Sequence, residues 1–180
     1  RLLAAAALAT LASCQTVAGS DRKQFVLISE ADEKEMGITA FAEMQKETPL
    51  SPDAPRQAAL DRVGARISQV AAKPDFAWEF KLFDDDETVN AFCLPGGKVG
   101  VYTGIYPVAL DEAGLAVIMG HEVAHALARH GAERATSAIV QQLGEAALTT
   151  AIGGLLGTND PRILAITKQA YGMGAAVGVM

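Results

Sequence analysis

The sequence predicts an α+β fold, mainly helical, with a small three-stranded sheet packed on one long helix. Three observations predict it. Apolar residues recur at helical spacing from Ser29 to Pro74, the period changes to two between Phe76 and Thr103, and helical spacing returns from Asp111. The chain has 180 residues, enough for one domain with its own core.

The first segment reads as an address rather than as structure. Leu2 to Ala12 is apolar apart from Thr10, follows Arg1, and is too short to span a bilayer. Residues 1–13 are therefore expected to be a lipoprotein signal peptide, truncated at its start. Leu11-Ala12-Ser13-Cys14 resembles a bacterial lipobox, and that resemblance implies cleavage before Cys14 and lipidation of its thiol. The competing reading is an Ala/Leu helix with Cys14 as a packing residue. Residues 14–28 are expected to be the lipidated Cys and a tether, with Gln15 to Lys23 its polar part. By the same resemblance, a Gln after the lipidated Cys implies the periplasmic face of the outer membrane.

A helix is expected from Ser29, its N-cap, with Asp32 and Glu33 in the first turn and a stop before Pro49. A second helix should start at Ser51-Pro52 and end at Lys73-Pro74, with Ala59, Leu60, Val63, Ile67 and Val70 as its stripe. Phe76, Trp78, Phe80 and Leu82 alternate as a strand, Thr88 to Leu94 forms a second, and Val99, Val101 and Thr103 a third. Pro95-Gly96-Gly97 is a tight turn between the last two, so the three strands are expected to form a meander. Asp84-Asp85-Asp86 reads as a solvated loop, since the glycine spacing of a calcium loop is missing. A long helix should run from Asp111-Glu112 to about His130, with Gly131 a stop. Ala138 to Leu156 is a further helical region, and Asn159-Asp160-Pro161 starts a last one.

Net charge is −6, from 15 basic and 21 acidic residues, so no basic stripe is available to neutralise phosphates and a nucleic-acid partner is excluded. With Cys14 taken by lipid, Cys93 has no partner for a disulfide and reads as a buried apolar residue.

The chemistry lies in His121-Glu122-Val123-Ala124-His125. Two histidines four apart share one helical face, about 6 Å apart along the axis, and their imidazoles can converge on one zinc ion. Glu122 projects about 100° further around the helix, where it can take a proton from a water activated by the metal and pass it to a leaving amine. Apolar neighbours on both sides set the motif mid-helix, as this chemistry requires. His130 is five residues beyond His125 and should point elsewhere, as a structural or supporting histidine rather than a ligand.

His121 to His130 resembles the active-site helix of the metallopeptidase family that includes the CAAX prenyl endopeptidases, the HtpX-type membrane proteases and the periplasmic lipoprotein branch of LoiP and BepA. Val89-Asn90-Ala91-Phe92-Cys93-Leu94-Pro95-Gly96-Gly97-Lys98-Val99 is similar to that family's Asn-Ala-Phe…Pro-Gly-Gly segment. The resemblance covers roughly residues 29 to 145 and implies a zincin-like fold of the gluzincin type. It implies one zinc on His121 and His125, Glu122 as catalytic base, and a polypeptide substrate added to an edge strand, here Lys98, Val99, Gly100 and Val101. The group's third zinc ligand is a Glu in a Glu-x-x-x-Asp motif, which does not occur before Met180. Residues 29–180 are thus expected to be the N-terminal part of the peptidase domain, with that ligand beyond residue 180. Glu145 is the alternative within the chain. Function follows as a zinc endopeptidase of the bacterial envelope, acting on misfolded proteins. Two other readings stand beside it. One is a non-catalytic lipoprotein adaptor on a degenerate protease scaffold. The other is an intramembrane protease, which no apolar run here is long enough to support.

Overall fold

The computed structural model describes residues 14–17, 21–141 and 161–173. The expected signal peptide, Glu145 and most of the region from Ala138 to Leu156 lie outside them. Elements run in the order β1 (Cys14–Thr16), β2 (Lys23–Phe25), α1 (Glu30–Glu47), α2 (Ala54–Ala71), β3 (Glu79–Phe83), β4 (Ala91–Leu94), β5 (Lys98–Tyr102), a 3-10 turn (Thr103–Ile105), α3 (Tyr106–Ala109), α4 (Glu112–Leu127), α5 (130–141) and α6 (Pro161–Ala170).

Local signals account for most helix starts. The Ser29 hydroxyl accepts the Asp32 amide at the head of α1, and Asp111 does the same for Gly114 at the head of α4. For α2 the cap is Asp53 rather than Ser51, with Pro55 in the first turn, because the Asp53 carboxylate accepts the Arg56 amide.

The sheet departs from the expected meander. Its order is β3-β5-β4, with β5 parallel to β3 and antiparallel to β4. Gly96 and Gly97, at φ 83° and 81°, make the tight β4–β5 turn that only glycine enters at little cost. The chain from β3 to β4 meanwhile crosses the end of β5. That crossing is held by the Asp85 amide on Thr103 Oγ1, the Gly104 amide on the Asp85 carbonyl, and the Asp85 carboxylate accepting from Glu87 and Thr88. The acidic run is therefore a structural loop.

Side-chain alternation then divides the sheet between two cores. Phe83, Phe92, Leu94 and Tyr102 face Met36, Phe41 and Met44 of α1, together with residues of α5 and α6. Leu82, Ala91, Cys93, Val99 and Val101 face Leu60 and Val63 of α2 and Leu115, Met119 and Val123 of α4. The sheet is thus enclosed by helices, and α4 lies along β4. Phe41 meets Phe83 and Phe92 edge-on at 6.1 and 6.3 Å, filling the first core with aromatic contacts.

The described residues after Cys14 include a short strand pair and contacts with the domain. β1 pairs with β2, Val26 and Ile28 are buried, and Arg22 forms an ion pair with Glu133 of α5. Burial of Val26 and Ile28 draws the chain onto the domain.

Candidate metal centre

α4 buries Leu115, Met119, Val123 and Ala126, a stripe with helical period, against the sheet. This orientation turns His121, Glu122 and His125 toward a cleft of about 530 Å³, whose other wall carries Asn90, Ala91 and Cys93. His121 Nε2 and His125 Nε2 lie 3.0 Å apart. Two nitrogens each ~2.0–2.1 Å from a tetrahedral zinc would be roughly 3.3 Å apart, so the pair fits one ion with a small outward adjustment. The imidazoles meet at right angles, with centroids 4.4 Å apart, so they do not stack against each other.

The electrostatics suit this use. Burial holds the His125 imidazole below its ordinary pKa, and His121, His130 and Arg134 push in the same direction. The neutral ring that results is the form that binds a metal. Burial raises the Glu122 carboxyl above its usual range, while His121 and Arg134 partly oppose the shift. Cys93 is buried and unpaired, and its thiol is pushed up by burial and then by Glu122.

The helix stops earlier than the sequence suggests. Ala128 ends α4 and Arg129 turns the chain with φ 56°, a left-handed conformation that is costly for a side chain as long as arginine. The surroundings hold it there. Arg129 Nε donates to Glu33 Oε2 at 2.7 Å, Arg129 Nη2 donates to the Ile28 carbonyl at 2.7 Å, and Tyr171 Oη donates to Glu33 Oε1 at 2.7 Å. Gly131 is not a stop. It lies within α5, where an added Cβ would come within 2.0 Å of the Tyr171 ring.

Two other expectations change. Lys98 to Val101 do not form an edge, because β5 is paired on both sides. The cleft-side strand paired on one side only, among the described residues, is β4, and Ala91 and Cys93 line the cleft. His130 does not point away: its Nδ1 is 2.6 Å from His125 Nδ1. Arg134 and Tyr171 also line the cleft, although no sequence motif marked them. Among the described residues no third His, Cys, Asp or Glu is placed to bind one metal ion together with His121 and His125.

The model of peptidase family M48 matches residues 54–177. The chain belongs to this family. Membership implies a zinc cofactor. The mitochondrial metalloendopeptidase OMA1 of Schizosaccharomyces pombe is 41% identical over 129 residues, 67% of this chain and 38% of that protein. The Saccharomyces cerevisiae protein of the same name is 31% identical over 147 residues, 74% of this chain and 43% of its own length. The Beta-barrel assembly-enhancing protease of Escherichia coli K12 is 29% identical over 173 residues, 95% of this chain and 32% of that protein. The M48 chain described here thus spans about two fifths or less of these relatives.

Proposed function

We propose that this chain carries the zinc-binding helix and substrate cleft of an endopeptidase that hydrolyses peptide bonds in proteins, in a quality-control role. The observation that carries it is the 3.0 Å approach of the two imidazole Nε2 atoms in a cleft shared with a partly buried Glu122. Zinc held there supplies Lewis acidity toward a peptide carbonyl and a water. His121 and His125 would hold the ion, with a third ligand from outside the described residues. Glu122 takes the proton of the attacking water and passes it to the leaving nitrogen. The substrate lies extended along the free side of β4, where backbone hydrogen bonds set its register and Ala91 and Cys93 present little bulk. Replacing Glu122 with Gln in the full-length protein is expected to abolish cleavage of an unfolded protein substrate while one zinc per chain is retained. Cleavage at the wild-type rate in that variant rules the mechanism out.

The same proposal places the protein in the bacterial cell envelope, held to a membrane by lipid on Cys14. Leu11-Ala12-Ser13-Cys14 supports this, as does similarity to the E. coli protease along nearly the whole chain. The mitochondrial relatives support the other location. Radiolabelled palmitate should enter the protein in cells and be lost in Cys14→Ala, whereas equal labelling of both excludes the anchor.

A further inference from the structure

We infer that His130 is a positioning residue for the metal site, whose Nδ1 accepts the Nδ1–H of His125 and so aims His125 Nε2 at the metal. The inference rests on His121 and His125 being the metal ligands.

His125 has a nitrogen neighbour at each end. Its Nε2 is 3.0 Å from His121 Nε2, and its Nδ1 is 2.6 Å from His130 Nδ1. A neutral imidazole carries one N–H and one lone pair. If the lone pair at Nε2 serves the metal, the proton is on Nδ1, and the group facing it must accept. His130 Nδ1 is that group, which leaves the proton of His130 on its own Nε2. A histidine whose second nitrogen is fixed in this way keeps one tautomer and one ring orientation, and it is a stronger donor to the metal.

The backbone makes the contact possible. In an unbroken helix, residues five apart diverge by about 140° around the axis, and His130 would face away from His125. The turn at Arg129 instead starts a new helix at His130 and brings its ring back over His125, with centroids 4.9 Å apart and planes inclined at 57°. Glu33, the Ile28 carbonyl and Tyr171 hold that turn from two other parts of the chain. His130 is therefore placed by the fold, with its ring nitrogen on the ligand.

The test is zinc affinity of the full-length protein, by competition with a chromophoric chelator, for wild type, His130→Ala, His130→Asn and His121→Ala. The Oδ1 of asparagine can accept where histidine Nδ1 does. Loss of the acceptor in His130→Ala should raise the zinc Kd about 10- to 100-fold, and His130→Asn should stay within about threefold of wild type. Nitrogen-15 spectra of the zinc-loaded wild type should place the His125 proton on Nδ1. An unchanged Kd in His130→Ala, equal weakening in the Ala and Asn variants, or a His125 proton on Nε2 would each overturn the inference. If His130→Ala does not fold, the Asn variant and the spectra decide. Undiminished zinc binding in His121→Ala would instead remove the metal site itself. Loss there with no change in His130→Ala removes only the role of His130.

Discussion

Cys93 and Glu122 line the same cleft, and burial makes both harder to ionise. For Cys93 the consequence is chemical inertness, since only the thiolate is a good nucleophile. In a Cys14→Ala background the folded protein should resist iodoacetamide at pH 8 and react fully in denaturant; equal rates in both would show an accessible thiol. The same shift links stability to pH. The native thiol keeps its proton where the unfolded thiol, with a pKa of about 8.5, loses it. Its contribution is complete below that value and is lost as pH rises. Between pH 7.5 and 9.5, wild type should lose about 1.4 kcal/mol more stability than Cys93→Ala, measured by urea unfolding. The Asn90 side chain shows how far local reading reaches. It belongs to a recognisable motif, and its Oδ1 accepts from the neighbouring Ala91 amide, yet the bond from Nδ2 to the Gly172 carbonyl needed the fold to bring residue 172 alongside.

Among the elements, the junction of α4 and α5 depends most on the rest of the chain. Glu33 has 5% of its side chain exposed and Arg129 12%, so their ion pair is withdrawn from solvent. Removing one partner leaves the other charge buried. Glu33→Ala is expected to cost about 3–5 kcal/mol by urea unfolding, far more than a change at an exposed pair such as Lys46–Glu43. A loss below 1 kcal/mol would mean that the turn is held by other contacts. Gly131→Ala tests the same junction by packing, since the added methyl meets the Tyr171 ring. A cost of about 1–3 kcal/mol is expected, and a shallower substitution such as Tyr171→Leu in the same chain should relieve part of it.

At the scale of the whole molecule, the sheet order bears on the proposed binding of substrate as an added strand. With β5 interior, its amides and carbonyls are already used by β3 and β4, and Lys98 is engaged with Glu79 and the Ala77 carbonyl. In the proposed binding mode an added strand pairs with β4, the outer strand that lines the cleft. A peptide substrate with one backbone amide N-methylated at a position facing β4 should lose about 2- to 10-fold in kcat/KM, the value of one net hydrogen bond. Alternation along the peptide, with methylation at every second residue harmless, is the signature of strand addition. Equal sensitivity at every position would point to another binding mode. The placement of β1 beside β2 sets a second whole-molecule feature. The backbone of Cys14 pairs with Phe25, so a lipid on Cys14 would hold the folded body close to the membrane surface.

By itself the sequence determined most of what depends on neighbours along one element, the cap of α2 at Asp53 rather than Ser51 being an exception. The spacing of His121 and His125, the cap at Ser29, the helix start at Asp111 and the glycine turn before Lys98 follow from helical geometry, capping hydrogen bonds and backbone sterics within a few residues. Tertiary structure alone decided what depends on distant partners. Nothing between Phe76 and Thr103 states that β5 inserts between β3 and β4, because a strand's alternation names its two faces and not its two neighbours. Nor does the run from Ala128 to Gly131 state where α4 ends. The local pattern favours a helix to His130, and the chain turns at Arg129 because Glu33, Ile28 and Tyr171 hold it there. That turn sets His130 on His125, and the sheet order makes β4 the strand beside the cleft. Long-range pairing energies settled both, since they outweigh local preferences that differ by only about 1 kcal/mol.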